Sequence, residues 1–319
     1  MAEAAVLGGG VIGAGWAARL VLFGRDVRLY DPSPAALARA ENVLATARAA
    51  WEMIPEVARP AEGTLSAAAS VEEAVAGADL IVEAVPERLE VKGPVYAEAE
   101  AAAAPDALIT SSTSGIKPTD LQAEMAHPER LLVAHPFNPV YLLPLVELVA
   151  GARTAPESID RAATHLSALR MFPLRVRKEI DAFIADRLLE AVWREALWLV
   201  KDGVATTEEI DEAIRMGFGL RWAQMGIFET YRIAGGDGGM RHFLAQFGPT
   251  LAWPWTKLMD VPELDDALIE RIASQSDAQS GHLSIAELEA ARDRNLVAIL
   301  RSLAAEDWGA GRTLTKAAR

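Results

Sequence analysis

The fold of this chain is decided by residues 4–13, which read AAVLGGGVIG. The four apolar residues predict a short buried strand, and the glycines that follow match the pattern G-x-G-x-x-G. Residues 12–23 have the length and apolar content of a helix, and residues 27–30 predict a second strand that ends at Asp31. A strand, a glycine-rich turn, a helix and a second strand in this order predict the first βαβ unit of a parallel sheet.

The glycine-rich turn has the composition that a bound dinucleotide requires. Glycine at the first two motif positions lets the backbone turn tightly and approach a pyrophosphate, and the third glycine lets helix and strand pack closely. The N-terminus of the helix adds partial positive charge near the phosphates. The residues predicted to bind the cofactor in this turn are Gly8, Gly10, Val11, Ile12 and Gly13.

Asp31 lies 18 residues after Gly13, at the end of the second predicted strand. An acidic side chain at this place accepts hydrogen bonds from ribose hydroxyls and repels a 2′-phosphate. The sequence therefore predicts NAD as the cofactor rather than NADP. An ordinary glycine-rich turn with a solvated aspartate is the alternative interpretation.

The rest of the first half repeats the alternation of strands and helices. Apolar runs at residues 80–82, 107–109 and 131–133 predict further strands, and those at 145–149 and 173–176 enlarge the sheet. This pattern predicts a Rossmann-type α/β domain with a mostly parallel sheet. Beyond residue 178 the patterns are helical only. We therefore expect an NAD-binding domain over residues 1–178 and an all-helical domain over residues 179–319.

The composition narrows the possible partners. The 319 residues include 31 basic and 45 acidic side chains, and the net charge of −14 argues against nucleic-acid binding.

No cysteine is present, which excludes disulfides and thiolate ligands, and we predict no metal site. The N-terminus lacks a basic segment, and no stretch approaches the roughly 18 apolar residues of a membrane span. We expect a cytoplasmic protein that does not bind membranes.

A second motif, HPFNP at residues 135–139, follows the strand predicted at 131–133. Open α/β sheets bind their ligands beyond such strand ends. A proline-rich loop then returns the chain into the strand that carries Glu147, which could bring its carboxylate beside the His135 imidazole. Oxidation of a secondary alcohol needs a base for the hydroxyl proton, and a histidine oriented by a carboxylate suits that task. A purely structural histidine before a proline is the alternative.

These motifs, in this order, resemble the L-3-hydroxyacyl-CoA dehydrogenase superfamily over nearly the whole chain. Besides the glycine-rich turn and H-x-x-N-P, the matching stretches are VEAVPE at residues 82–87, Lys92, and the Ser/Thr run that ends at Ser114. The resemblance implies a Rossmann domain that binds NAD and a helical domain for substrate binding and dimerisation. It therefore also implies a homodimer.

The resemblance assigns roles to residues outside the glycine-rich turn. It implies that His135 is the catalytic base and that Glu147 is its partner. Ser114 and Asn138 are then expected to hold the substrate oxygens and the nicotinamide ribose region, and Glu87 and Lys92 to lie along the cofactor. Taken singly, Ser114 could be a loop cap and Lys92 a solvated charge on a helix.

Two features separate this chain from acyl-CoA members of the superfamily. Asp186 stands where the family usually has asparagine, and a carboxylate is a poor hydrogen-bond donor to a thioester carbonyl. Residues 32–78 contain six glutamates, three arginines and no lysine, so a carrier rich in phosphate has little to hold it. We therefore expect a small substrate without coenzyme A.

The segments at residues 141–145, 220–223 and 251–257 resemble the L-carnitine 3-dehydrogenase branch of the superfamily. That branch implies oxidation of a zwitterionic 3-hydroxy acid, carnitine, to 3-dehydrocarnitine. Aromatic faces attract a trimethylammonium group, and a carboxylate such as Asp186 would add to the attraction. The tryptophans of the helical half include Trp193, Trp198, Trp222, Trp253 and Trp255.

The residues predicted to bind the substrate are Tyr141, Asp186, Arg221 and Trp222. Arg221 is the candidate for the substrate carboxylate, because its fork can meet both oxygens. Tryptophans that fill a core or a dimer interface, and an exposed arginine at a helix end, are the alternatives. A short-chain 3-hydroxyacyl-CoA or sugar-acid dehydrogenase, and a structural protein of the crystallin kind, remain as other hypotheses for the function.

Overall fold

The structure is a computed structural model, and it describes residues 3–223, 225–235, 237, 239–248, 254–257, 263 and 265–315. Packing of the backbone divides the chain into two compact units. The first unit comprises Met1–Ile184, Leu296–Ala304 and Gly311–Arg319. The second comprises Ala185–Asn295 and Ala305–Ala310. The domain boundary that we expect at residue 178 stays a prediction.

The first unit is built on one eight-stranded sheet with the strand order β3-β2-β1-β4-β5-β6-β7-β8. All neighbouring strands are parallel except β6 and β7, which are antiparallel. The strands are β1 (Glu3–Leu7), β2 (Asp26–Tyr30), β3 (Leu65–Ala67), β4 (Leu80–Glu83), β5 (Leu108–Ser111), β6 (Leu131–Pro136), β7 (Leu145–Ala150) and β8 (Phe172–Val176). The prediction of a Rossmann-type, mostly parallel α/β sheet is confirmed.

Helices lie between the strands as far as β8, and further helices follow β8. Those between the strands are α1 (Val11–Leu22), α2 (Ala36–Glu52), α3 (Val71–Val75), α4 (Leu89–Ala102), α5 (Pro118–Leu121) and α6 (Pro156–Ala168). The later ones are α7 (Ala185–Lys201), α8 (Thr207–Ala213), α9 (Gly219–Trp222), α10 (Ile227–Ala234), α11 (Gly239–Phe247), α12 (Asp266–Ser280), α13 (Ile285–Ala305) and α14 (Arg312–Thr315). Within the described ranges no strand follows β8. The helical C-terminal part is therefore confirmed.

The central strands are buried on both faces, and every residue of β4, β5 and β6 is buried. Ala5 and Leu7 of β1 are at most 1% exposed and belong to a cluster with Val71, Ala74 and Val75 of α3. Side chains alternate between the two faces of a strand, so burial on both faces requires a continuous apolar run rather than an alternating one. The AAVL sequence at residues 4–7 meets that requirement.

Strand β3 is the one strand of the sheet that the sequence did not predict. Its three residues lie at the edge of the sheet beside β2 and are largely exposed. A short edge strand needs neither an apolar run nor an alternating pattern, so Leu65–Ala67 carries no signal of its own. Among the described residues, none of the helices combines the length and apolar character needed to cross a lipid bilayer.

Candidate active site

The glycine-rich turn between β1 and α1 has the geometry that its sequence requires. Gly8 adopts a φ of 102°, and a Cβ atom there would lie 2.5 Å from the carbonyl oxygen of Ala84 in the loop after β4. A Cβ on Gly13 would lie 1.8 Å from the carbonyl oxygen of Gly8. Both positions therefore exclude any side chain, the first also because of its left-handed backbone.

Gly10 differs from its two neighbours in the motif because it faces open space. Apart from its own chain neighbours, no atom lies within 4 Å of the place where its Cβ would be, and Gly10 is the N-cap of α1 without a side chain to cap the helix. Val11, the first residue of α1, is 70% exposed. The first backbone N–H groups of a twelve-residue helix thus adjoin an open surface, which fits the pyrophosphate of a dinucleotide.

Asp31 is held against this turn by backbone hydrogen bonds. Its Oδ2 atom accepts from Gly9 N at 2.7 Å, and its Oδ1 atom accepts from Ser33 N at 2.7 Å. Each carboxylate oxygen can accept further hydrogen bonds, so Asp31 presents two fixed acceptors beside the turn, as its predicted role toward ribose hydroxyls requires. Arg39 of α2, which sequence reasoning did not single out, donates from Nε to the carbonyl oxygen of Gly9 at 3.3 Å.

His135 and Glu147 face each other across the antiparallel pair β6–β7. The His135 Nδ1 atom lies 3.0 Å from Glu147 Oε2, and the two residues are 5% and 0% exposed. The other carboxylate oxygen, Oε1, accepts a hydrogen bond from Ile184 N at 2.9 Å. An ionised carboxylate can only accept, so a neutral His135 carries its proton on Nδ1 and has its basic nitrogen at Nε2.

Two phenylalanine rings contact the His135 imidazole. The ring centroid of Phe137 lies 4.7 Å from that of His135, and the centroid of Phe183 lies 5.8 Å away, both in tilted arrangements. Phe183 is completely buried. The imidazole therefore contacts the Glu147 carboxylate at its Nδ1 edge and lies beside the rings of Phe137 and Phe183.

Glu87 and Ser114 lie together, beyond β4 and β5 respectively. Glu87 Oε1 accepts from the Thr113 hydroxyl, from Ser114 N at 3.1 Å and from Gly115 N at 3.4 Å. Partial burial alone would raise the pKa of Glu87, but the Thr113 hydroxyl and the Lys92 ammonium outweigh it, so the pKa lies below its usual value. Glu87 is thus an ionised group that fixes the loop carrying Ser114.

Lys92 is buried, and its ammonium group meets two carboxylates. Its Nζ atom donates to Glu83 Oε1 at 2.7 Å and lies 3.2 Å from Glu87 Oε2. Glu83 is completely buried and accepts at Oε2 from the hydroxyls of Tyr96, at 2.5 Å, and Ser111, at 2.6 Å. Burial, followed by the negative charge of Glu83, raises the pKa of Tyr96 well above its usual value.

Sequence reasoning did not assign Glu83, although the residue stands inside the quoted VEAVPE stretch. The signal that could have found it is a charged residue at the end of an otherwise apolar strand, LIVE, that is buried at every position. A carboxylate in such a place needs a partner. Lys92, nine residues further on, is the cation within reach along α4.

The loop between β6 and β7 carries Asn138 and Tyr141. Asn138 is exposed, whereas Tyr141 is 6% exposed. The backbone carbonyl of Tyr141 accepts from Arg19 Nη1 at 2.8 Å and from Trp51 Nε1 at 2.7 Å. Burial lowers the pKa of Arg19 to about 9, which leaves its guanidinium charged at neutral pH. Two buried donors therefore hold the loop at Tyr141.

The remaining predicted site residues lie in the second unit. Asp186 is half-buried in the first turn of α7, while Arg221 and Trp222 are exposed on α9. The ring of Trp198 has the ammonium groups of Lys257 and Lys201 at 4.1 and 4.9 Å from its centroid. Trp193 and Trp255 are 52% and 66% exposed, and Trp253 lies outside the described residues.

The structure thus brings together three groups of predicted residues in the first unit. These are the glycine-rich turn with Asp31, Glu87 with Ser114 and Lys92, and His135 with Glu147. Among the described residues, no cluster of histidine, aspartate and glutamate has the makeup of a metal site. The roles of the individual residues stay predictions.

Comparison with known proteins identifies the family. Residues 3–180 match the model of the 3-hydroxyacyl-CoA dehydrogenase NAD binding domain, and residues 183–268 match that of the 3-hydroxyacyl-CoA dehydrogenase C-terminal domain. The L-carnitine dehydrogenase of Mesorhizobium japonicum is 58% identical over 97% of this chain and 86% of its own length.

Other relatives are longer than this chain. The L-carnitine dehydrogenase/betainyl-CoA thioesterase of Ruegeria pomeroyi is 61% identical over 99% of this chain, but this chain covers 65% of that protein. The corresponding protein of Agrobacterium fabrum is 60% identical, and this chain covers 63% of it. The chain therefore spans slightly less than two thirds of these two relatives.

Solved structures share the fold. The 5-dehydrogenase of 5-formyl-3-hydroxy-2-methylpyridine 4-carboxylic acid, described as an NAD+ dependent dismutase, superposes with a TM-score of 0.79 at 31% identity. The match covers 95% of this chain and 98% of the other. The chain belongs to the 3-hydroxyacyl-CoA dehydrogenase family, and its first part is the NAD-binding domain of that family.

Proposed function

We propose that this protein oxidises the 3-hydroxyl of L-carnitine to a ketone, giving 3-dehydrocarnitine, NADH and a proton. The observation that carries the chemistry is the buried His135–Glu147 pair. The choice of substrate is supported by the names of the relatives, at 61% and 58% identity, that are called L-carnitine dehydrogenases.

The residues of the first unit supply the cofactor site in this proposal. The N–H groups at the start of α1 bind the pyrophosphate, Asp31 accepts from the adenosine ribose hydroxyls, and Glu87 lies along the nicotinamide half. NAD, when bound, supplies a hydride acceptor. Gly10 gives the backbone the open surface that this contact needs.

His135 acts as the base in this mechanism. Its Nε2 atom takes the proton from the substrate hydroxyl while the Nδ1 proton remains hydrogen-bonded to Glu147. The carboxylate stabilises the imidazolium that forms, and it keeps the neutral ring in the tautomer that has its lone pair on Nε2. Ser114 and Asn138 hold the substrate oxygens and the nicotinamide ribose region.

The substrate is a zwitterion, and we assign its two ends to different side chains. The trimethylammonium group cannot donate a hydrogen bond, so it needs aromatic faces and a carboxylate, for which Tyr141, Trp222 and Asp186 are the candidates. Trp198 is a poorer candidate because two lysine ammonium groups already lie near its ring. Arg221 binds the substrate carboxylate.

A coenzyme A thioester is the second candidate substrate. The E. coli 3-hydroxybutyryl-CoA dehydrogenase superposes with a TM-score of 0.63 at 30% identity, over 86% of this chain and 56% of the other. The helix α2 and the following loop lack lysine here, and residues 32–78 contain three arginines but six glutamates. That charge balance disfavours a ligand with several phosphates.

We propose that the protein acts as a homodimer, in the cytoplasm, joined through its helical half. On α7 alone, Leu188, Leu189 and Trp193 are each more than half exposed. Apolar patches of this kind commonly mark interfaces between proteins. Light scattering at micromolar concentration should give about twice the mass of the 34.2 kDa chain, and a strict monomer would contradict the proposal.

The proposed activity is tested by product analysis. Incubation of the purified protein with L-carnitine and NAD should form NADH, followed by its absorbance, and 3-dehydrocarnitine, followed by mass spectrometry, in equal amounts. Neither product should form with the His135→Ala variant at a comparable rate. NADH formation without the matching ketone would show that another compound is being oxidised.

A further inference from the structure

The segment between β8 and α7 has an unusual backbone. Ala182 and Phe183 adopt φ values of 57° and 47°, in the left-handed region that side chains with a Cβ atom rarely occupy. Two such residues in succession are unfavourable unless the surrounding structure holds them. This turn, residues 181–184, is therefore held by its contacts with the rest of the first unit.

Two contacts of the turn are with the proposed catalytic pair. Ile184 N donates to Glu147 Oε1 at 2.9 Å, on the oxygen opposite the one that lies 3.0 Å from His135 Nδ1. The neighbouring Phe183 is completely buried, and its ring centroid lies 5.8 Å from that of His135 at an interplanar angle of 55°. One short turn thus touches the base with a ring and the carboxylate with an N–H group.

These contacts restrict the two side-chain torsions on which the pair depends. A glutamate held at one oxygen can rotate about its terminal bond, whereas one held at both oxygens has its carboxylate plane fixed. An imidazole with an aromatic ring beside it likewise has less freedom to rotate about χ2. The backbone of the turn supplies Glu147 with an N–H donor, so no side chain of β6 or β7 needs to provide one.

We propose that Phe183 and the backbone N–H of Ile184 are positioning groups for the His135–Glu147 pair, and that the left-handed turn at Ala182 holds them there. This rests on the proposed function in so far as that pair is the catalytic base and its partner. Phe183 is completely buried and the Ile184 N–H is already bonded to Glu147, so neither group is open to a ligand. Their loss should therefore lower kcat and leave NADH binding unchanged.

The turn is tested with a matched pair of variants. Ala182→Val places a β-branched side chain at a φ of 57°, and Arg170→Val places the same side chain at a φ of 58° in the turn before β8. The two φ values differ by 1°, so the backbone strain is comparable, and both residues are half-buried in the first unit. Ala182→Val should lower kcat on the order of tenfold, whereas Arg170→Val should lower the Tm only. Ala182→Gly should recover most of the kcat that valine loses, because glycine adopts the left-handed region freely.

The hydrogen bond is tested without changing any side chain. Incorporation of the α-hydroxy analogue of isoleucine at position 184 replaces the amide by an ester and removes the N–H donor. We expect kcat to fall roughly tenfold, with the Kd for NADH unchanged. The Nδ1 proton of His135, identified in the NMR spectrum by its absence in His135→Ala, should shift and exchange faster with water.

The outcomes separate this proposal from the proposed function. An ester variant with wild-type kcat and an unchanged Nδ1 proton signal would overturn the positioning role, as would equal losses of kcat in Ala182→Val and Arg170→Val. The NMR signal is read without substrate. If the protein oxidised no carnitine, the change of that signal would still support the positioning of the pair, whereas the proposed substrate would be refuted.

Discussion

The Nδ1 atom of His135 lies 3.0 Å from Oε2 of Glu147 because the two residues are direct partners in the register of β6 and β7. These strands are the one antiparallel pair in the sheet. Opposite residues of an antiparallel pair present their side chains on the same face, within about 5 Å at Cβ. The return of the chain direction after β6 is therefore what brings the imidazole of His135 and the carboxylate of Glu147 together.

Replacement of His135 should strongly lower turnover without abolishing cofactor binding. His135→Ala should lower kcat by about 10²–10⁴, because proton removal from the hydroxyl is then left to water. The Kd for NADH, measured by fluorescence, should stay near the wild-type value. A variant with near-normal turnover would remove His135 from the mechanism.

Glu147→Gln should also lower kcat, but by less than His135→Ala does, because the imidazole remains and is only poorly oriented. Ile184 N needs an acceptor, so the amide oxygen of glutamine turns toward it and the amide NH₂ group faces His135 Nδ1. That arrangement forces the imidazole proton onto Nε2, the nitrogen that should accept the substrate proton. The measurement is kcat at saturating NAD and carnitine, and a loss of less than about fivefold would contradict the assigned tautomer.

The preference for NAD over NADP should depend on Asp31. Asp31→Ser removes the charge that repels a 2′-phosphate. The ratio of kcat/KM with NAD to kcat/KM with NADP should therefore fall by roughly tenfold or more. Asp26→Ser, at the other end of β2, removes the same charge beside Thr64 and should leave the ratio unchanged. Equal efficiency with both cofactors in the wild-type protein would exclude the role of Asp31.

Glu83 and Lys92 should behave as a coupled buried pair. Removing one partner leaves a buried charge, so Lys92→Met or Glu83→Gln alone should lower the free energy of unfolding by about 3–5 kcal/mol. The double variant should lose less than the sum of the two single losses. Arg88 precedes α4 and forms an exposed ion pair with Glu90 in its first turn. Arg88→Met and Glu90→Gln should therefore change the free energy of unfolding only slightly. Additive losses in urea unfolding would contradict the coupling.

The Rossmann part of the fold was predictable from the sequence because its physical requirements are local. Gly8 must be glycine for its φ of 102°, and the apolar run of β1 follows from burial on both faces. The His135–Glu147 contact was also predictable, since proline-rich residues return the chain over a short distance. The role of Ile184 N was not predictable, because a backbone contact 37 residues from Glu147 leaves no trace in residue type.

Arg221 should contribute to binding of the substrate and not to binding of the cofactor. Arg221→Ala removes the fixed cation that we assign to the carboxylate of carnitine, so the KM for carnitine should rise more than the KM for NAD. Arg215→Ala is the matched control, because this nearby exposed arginine pairs with Glu212. Steady-state kinetics of both variants decide the point, and an equal rise of the carnitine KM in both would refute the assignment.

The most direct measurement of the central claim is the ratio of kcat/KM for L-carnitine and 3-hydroxybutyryl-CoA, determined with NAD on one preparation of the protein. Our account predicts that carnitine is the better substrate and that 3-hydroxybutyrate, which lacks the trimethylammonium group, is far worse than carnitine. Each cation–π contact to that group contributes about 0.5–2 kcal/mol. Faster oxidation of 3-hydroxybutyryl-CoA than of carnitine would contradict the account.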